Sequence, residues 1–90
     1  MQPDAKFKYM LYVNLYNLSE GRDFVSGSYK GEINYIAVEI DGQLGEKLKV
    51  SDGFYKYTVG TKINKVSQNA WVIGYDQSGT EVTRSKIKIL

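Results

Sequence analysis

The stretch from residue 6 to 17 reads KFKYMLYVNLYN. Phe7, Tyr9, Leu11, Val13 and Leu15 share one parity, and Lys8, Met10, Tyr12, Asn14 and Tyr16 share the other. A period of two in aromatic and β-branched residues predicts a strand with one buried face. A helical stripe through Phe7, Met10, Leu11 and Asn14 fits less well. Residues 22–29 read as a second strand, in which Gly27 signals a bulge or a close backbone approach. Residues 33–40 read as a third, with Ile36, Val38 and Ile40 on one face and Tyr35, Ala37 and Glu39 on the other. Residues 47–50 alternate as a fourth strand, and 54–59 form a fifth. Residues 70–76, the sixth, are apolar on both parities. That fits a central strand covered on both faces, or one with an aromatic, half-exposed outer face. In the seventh, 80–90, Val82 differs in parity from Ile87 and Ile89, which predicts a bulge near 83–85.

Turn chemistry separates these runs. Asp41-Gly42 and Asp52-Gly53 are hairpin signals, since both residue types tolerate positive φ. Asp76-Gln77-Ser78-Gly79 poses a choice between a cation loop and a turn. A calcium loop needs several closely spaced oxygen ligands, and here only Asp76 and Ser78 alternate. The turn is the better reading, with the Asp76 carboxylate bonded to backbone N–H groups. Residues 60–69 are the one long connection, with Ile63 and Val66 expected to pack down on the end of the core. Short strands at a spacing of about 10–12 residues, without any helical pattern, predict an all-β sandwich of about seven antiparallel strands. An OB-type barrel is the alternative. The expected core is Leu11, Val13, Ile36, Val38, Ile40, Leu48, Val50, Phe54, Val72 and Ile89.

Composition narrows the function classes. Ninety residues suggest a single domain, 1–90. Twelve basic residues against ten acidic, interspersed along the chain, argue against nucleic acid as the main partner. With no cysteine and no histidine, the fold rests on neither disulfides nor a zinc site, and no cofactor is expected. Without histidine, general base catalysis at neutral pH lacks its usual agent, so an enzyme is not expected. No apolar run approaches the roughly 20 residues that span a bilayer. The first six residues do not read as a signal peptide.

Surface aromatics are the remaining candidates for binding. Tyr55 and Tyr57 could stack bases beside Lys47, Lys49 and Lys56, although Asp52 stands where the aromatic strand of an RNA-recognition domain begins with a basic residue. Trp71, Tyr75 and Tyr35 could form a carbohydrate platform if their faces are exposed. The competing reading is that the tyrosines cover a sheet and that Trp71 packs between sheets or on lysine stems.

Residues 24–90 resemble the bacterial Ig-like modules of Gram-positive cell-surface proteins. The resemblance rests on Gly27-Ser28-Tyr29-Lys30-Gly31, Asp41-Gly42, Gly53-Phe54-Tyr55-Lys56-Tyr57, Lys62-Ile63, and Val72-Ile73-Gly74-Tyr75-Asp76-Gln77-Ser78-Gly79. It implies an Ig-like sandwich serving as a non-catalytic spacer or adhesive unit, recurring in tandem in wall-anchored, adhesin- or internalin-like proteins. It implies an extracellular or cell-wall location, with neighbouring domains or a host or cell-surface protein as partners. Residues 6–17 are longer and more aromatic than the usual opening strand, and are the expected edge for strand addition or self-association.

Overall fold

A computed structural model describes residues 8–90. Lys6 and Phe7, at the start of the expected first strand, lie outside the described residues. Eight strands form two antiparallel sheets: β1 (Met10–Val13), β2 (Phe24–Lys30), β3 (Tyr35–Ile40), β4 (Gln43–Leu44), β5 (Leu48–Lys49), β6 (Phe54–Thr58), β7 (Ala70–Tyr75) and β8 (Glu81–Lys86). The smaller sheet has the order β1-β2-β6. In the larger, β3 pairs with β7 and β7 with β8, while β4 and β5 share the outer edge of β3. The architecture is the β-sandwich that the alternation predicts, and the barrel alternative is set aside. The expected fourth strand, 47–50, is reduced to the two residues of β5, and β4 is a further short piece on the same edge that the alternation did not predict.

Period-two alternation sorts the side chains into layers. Val25, Tyr29 and Tyr55 of the smaller sheet meet Ile36, Val38 and Val72 of the larger in the main core. Tyr16, Ile33, Val50, Val59, Ile63, Ile87 and Ile89 close its ends and sides. Leu11, Ile36, Val38, Val50, Val72 and Ile89 are buried as expected, and Val13 and Ile40 pack at the margin. Phe54 and Leu48 depart from expectation, with 68% and 39% of their surface exposed. On β6 the inward parity belongs to Tyr55, Tyr57 and Val59, so Phe54 must face out. Leu48 lies on a two-residue edge strand that nothing covers. In the long connection Ile63 is buried while Val66 is exposed. Gln68 organises that loop, accepting from the Asn64 and Lys65 N–H groups and donating to Lys62 O and Asp41 Oδ2.

The turns follow their sequence signals. Asp41 and Gly42, at φ 50° and 85°, form the two-residue corner between β3 and β4, which demands positive φ twice. Asp76 Oδ1 accepts from Ser78 N, Ser78 Oγ and Thr80 N, at 2.9, 2.7 and 3.0 Å. Its carboxylate is thus consumed in holding the turn, and these bonds hold its pKa below the usual carboxylate range. On β8, Val82 has no partner between the pairs Gly74–Thr83 and Tyr75–Glu81. This bulge reconciles Val82 with the opposite parity of Ile87 and Ile89, one residue ahead of the expected place. Gly27 marks a close approach: a Cβ there would strike the Tyr12 carbonyl and the Tyr55 hydroxyl.

The two long sides of the sandwich differ. On one side the chain beyond β1 crosses to the larger sheet. Tyr16 and Ile89 form a parallel bridge, with Tyr16 N donating to Lys88 O, Leu90 N to Tyr16 O and Leu18 N to Leu90 O. Ser85 Oγ donates to Leu11 O at 2.7 Å. Of the expected open edge, the described residues Leu11 and Tyr16 are therefore engaged along this seam by β8 and the residues that follow it. On the other side, β6 and the β4–β5 edge flank an open cleft of about 1000 Å³.

Candidate functional site

The aromatic residues singled out from the sequence divide between two environments. β3, β7 and β8 put Tyr35, Ala37 and Glu39, then Trp71, Ile73 and Tyr75, then Arg84 and Lys86 on the outer face of the larger sheet. Cross-strand register sets this arrangement: Tyr35 lies opposite Tyr75, Ala37 opposite Ile73, Glu39 opposite Trp71, and Trp71 opposite Lys86. Tyr35, Trp71 and Tyr75 are thus brought together, as a platform requires. Tyr55 is in the main core, where its hydroxyl donates to Tyr12 O at 2.7 Å. Burial pushes its phenol far above the usual value.

The face is less open than a row of aromatics suggests. Ala37, Ile73 and Tyr75 are almost fully buried and form a second, small core, packed by Tyr35, Tyr57 and Trp71. Lys47 lies over Tyr75, with Nζ 4.3 Å from the ring centre, and also donates to Gly79 O. This cation–π contact seals the ring that a ligand would need. Desolvation raises the Tyr75 phenol, and the Glu81 charge adds to the effect. Trp71 keeps a half-exposed ring, flanked by the Arg84 guanidinium at 5.7 Å and the Lys86 ammonium at 5.8 Å.

The carboxylates on this face serve Arg84. Glu81 takes its Nε and Nη2 in a bidentate pair, each at 2.8 Å, and Glu39 lies 3.5 Å from Nη1. The arginine bonds hold Glu81 below the usual carboxylate range. An acid–base pair needs one carboxyl kept protonated, and this arrangement works against that. Among the described residues no cluster has the makings of a metal site.

Tyr57 joins the two environments. It packs against both cores and donates its hydroxyl to Glu46 O at 2.6 Å, spanning the mouth of the open cleft. Sequence reasoning missed that cleft. The available signal was Lys56, a charged residue in the middle of a strand between Tyr55 and Tyr57, as is common where a strand forms an edge.

Comparison with known proteins agrees with this geometry. A family model described as a bacterial Ig domain matches residues 10–90. A solved structure described as fibronectin(III)-like modules of Clostridium thermocellum CbhA superposes with a TM-score of 0.54. It shares 17% identity, over 90% of this chain and 92% of that one, a likeness of fold alone. No curated protein matches the chain.

Proposed function

Since the chain belongs to the bacterial Ig domain family, we propose that it is a single-domain, non-catalytic spacer and interaction unit within a larger, extracellular bacterial surface protein, one of the adhesin-like kind. The observation that supports this most is the closed seam. Tyr16 runs parallel to Ile89, so Met10 lies about 20 Å from the C-terminal residues along the strand direction. Tension applied through the two ends slides residues 16–18 against 88–90. The three backbone hydrogen bonds between them are then loaded together in shear, instead of opening one by one. Such a clamp suits a unit that passes force between neighbours in a wall-attached stalk. The test is single-molecule pulling on a tandem array of this domain. Pulling through the ends is expected to need a clearly higher force than pulling between residues 58 and 90. Equal forces along both directions would remove the basis for the spacer.

A second reading rests on the half-exposed Trp71 between two cations. It makes the outer face of the larger sheet around the indole, with Tyr35 further along the same face, a weak site for glycan or single-stranded nucleic acid. Loss of glycan binding on Trp71→Ala, insensitive to salt, supports a sugar. A steep fall in oligonucleotide binding with salt supports nucleic acid. Absence of both sinks this reading.

A further inference from the structure

We infer that the β6 edge is a docking site for an extended acidic segment of another protein, bound by strand addition across the open cleft; this rests on the interaction part of the reading above. The backbone directions follow from two bonds to the smaller sheet. Tyr29 N donates to Gly53 O, and Val59 N donates to Asp23 O. Odd residues of β6 therefore turn their N–H and C=O groups toward β2, and even residues turn theirs outward. The Phe54 N–H is occupied by Asp52 Oδ1. The Phe54 C=O and both groups of Lys56 and Thr58 point away from β2, Lys56 and Thr58 line the cleft, and β6 ends its sheet among the described strands. A row of edge groups beside an open cleft is a template for another strand.

The side chains define the partner's chemistry. An added strand would alternate between two environments. Its inward residues would meet Ile40, Leu48, Tyr57 and Val59, an apolar wall. Its outward residues would lie beside Lys56 and the exposed Phe54. Lys47 and Lys62 bring the lysines of the cleft lining to three, against the two acids Asp41 and Glu46. Asp41, also in that lining, is turned to other work, since its oxygens accept from Asn69 N and Gln68 Nε2. The complement is an extended segment with apolar residues on one parity and acids on the other. A second copy of this chain fits worse: antiparallel pairing of two β6 edges in full overlap sets Lys56 opposite Lys56, and like charges directly opposite are destabilising. Strand addition would also cover Phe54, the most exposed large apolar side chain among the described residues.

The probe is a capped heptapeptide, Thr-Glu-Val-Glu-Val-Glu-Thr, titrated against the intact domain by calorimetry. Saturable binding is expected, weakened about tenfold or more by Lys56→Glu, with the loss recovered when the peptide's glutamates are replaced by lysine. The same peptide N-methylated at alternate residues, on the hydrogen-bonding side, should not bind, a control that needs no protein variant. Thr58→Pro removes one outward N–H without touching the β2 ladder, and should weaken binding while leaving thermal unfolding close to that of the parent. No binding by the parent domain, or equal binding of the N-methylated peptide, overturns the proposal. So does a stable homodimer dissociated by Thr58→Pro, because the edge would then be filled by a second copy. None of these failures touches the shear clamp, which the pulling experiment judges separately.

Discussion

The two long sides of this sandwich are built from the same kind of strand and finished differently. Along one, residues 16–18 and 88–90 exchange three backbone hydrogen bonds, and Tyr16 and Ile89 are buried behind them. Along the other, β6 and the β4–β5 edge face each other across an open cleft, bridged by the Tyr57 hydroxyl bond to Glu46 O. The comparison teaches that exposure of a sheet edge depends on what the chain does after a strand ends. β1 is as much an edge by strand order as β6. Its side is closed because the chain beyond it leaves its own sheet and pairs with the other one at residues 16–18, while Ser85 Oγ bonds Leu11 O on β1 itself.

Mutations should expose this asymmetry. The largest effect belongs to Tyr16→Ala, which removes a buried ring and its 2.6 Å bond to Arg22 O. The expected cost is about 3–5 kcal/mol in urea unfolding, by analogy with other large aromatic truncations. Tyr57→Ala, on the more exposed side, should cost visibly less. Equal costs would break the distinction between a structural seam and a spare one. Next in size is Tyr57→Phe, which deletes only the bond across the cleft. It should cost about 1 kcal/mol and loosen the β4–β5 edge, seen as faster proteolysis between residues 43 and 48. A variant as resistant as the parent would mean that the cleft is held by something else.

The smallest effect is on pH dependence. Asp41 closes a corner beside the cleft and Asp76 closes one at the end of β7. Hydrogen bonds to backbone and side-chain donors lower both carboxyl pKa values in the fold, led by Asn69 N–H for Asp41 and by the Ser78 hydroxyl for Asp76. An aspartate in the unfolded chain titrates at about 3.9. Their stabilising contribution is therefore fully present above that pH. It is lost as pH falls through the lowered folded values, where protonation breaks the bonds. Asp41→Asn and Asp76→Asn should each flatten the acid limb of a stability–pH curve, leaving the curve above pH 5 parallel to that of the parent. An unchanged acid limb would remove these corners from the account.

Much of this fold is legible in the sequence because burial and turn chemistry are local. Ile36 and Val38 are read from parity alone, and a bulge within one residue of Val82 from a break in it. Two errors have a plain cause. Within 54–59 the apolar residues of odd parity, Tyr55, Tyr57 and Val59, outnumber Phe54, so period two favours them for the interior. Weighting Phe54 by its hydrophobicity reverses that choice. Leu15 and Tyr16 exchange expected places because the chain leaves the β1–β2 ladder there and turns to Ile89, a partner more than seventy residues away with no local signature. The candidate site was legible in part. Alternation places Tyr35, Trp71 and Tyr75 on one face, but the lid that Lys47 makes over Tyr75 depends on how the β4–β5 segment folds back. The open cleft is a property of two edges from different sheets, and neither edge is identifiable before the sheets are assembled.

Amide hydrogen exchange on the intact domain, read residue by residue by NMR, tests the difference between the two sides without any mutation. The Tyr16 and Leu18 amides should be strongly protected, while those of Lys56 and Thr58, though inside a strand, should exchange nearly as fast as in an unstructured peptide. Comparable protection at both sides, or fast exchange at Tyr16 and Leu18, would contradict the sealed and open seams from which the proposed roles follow.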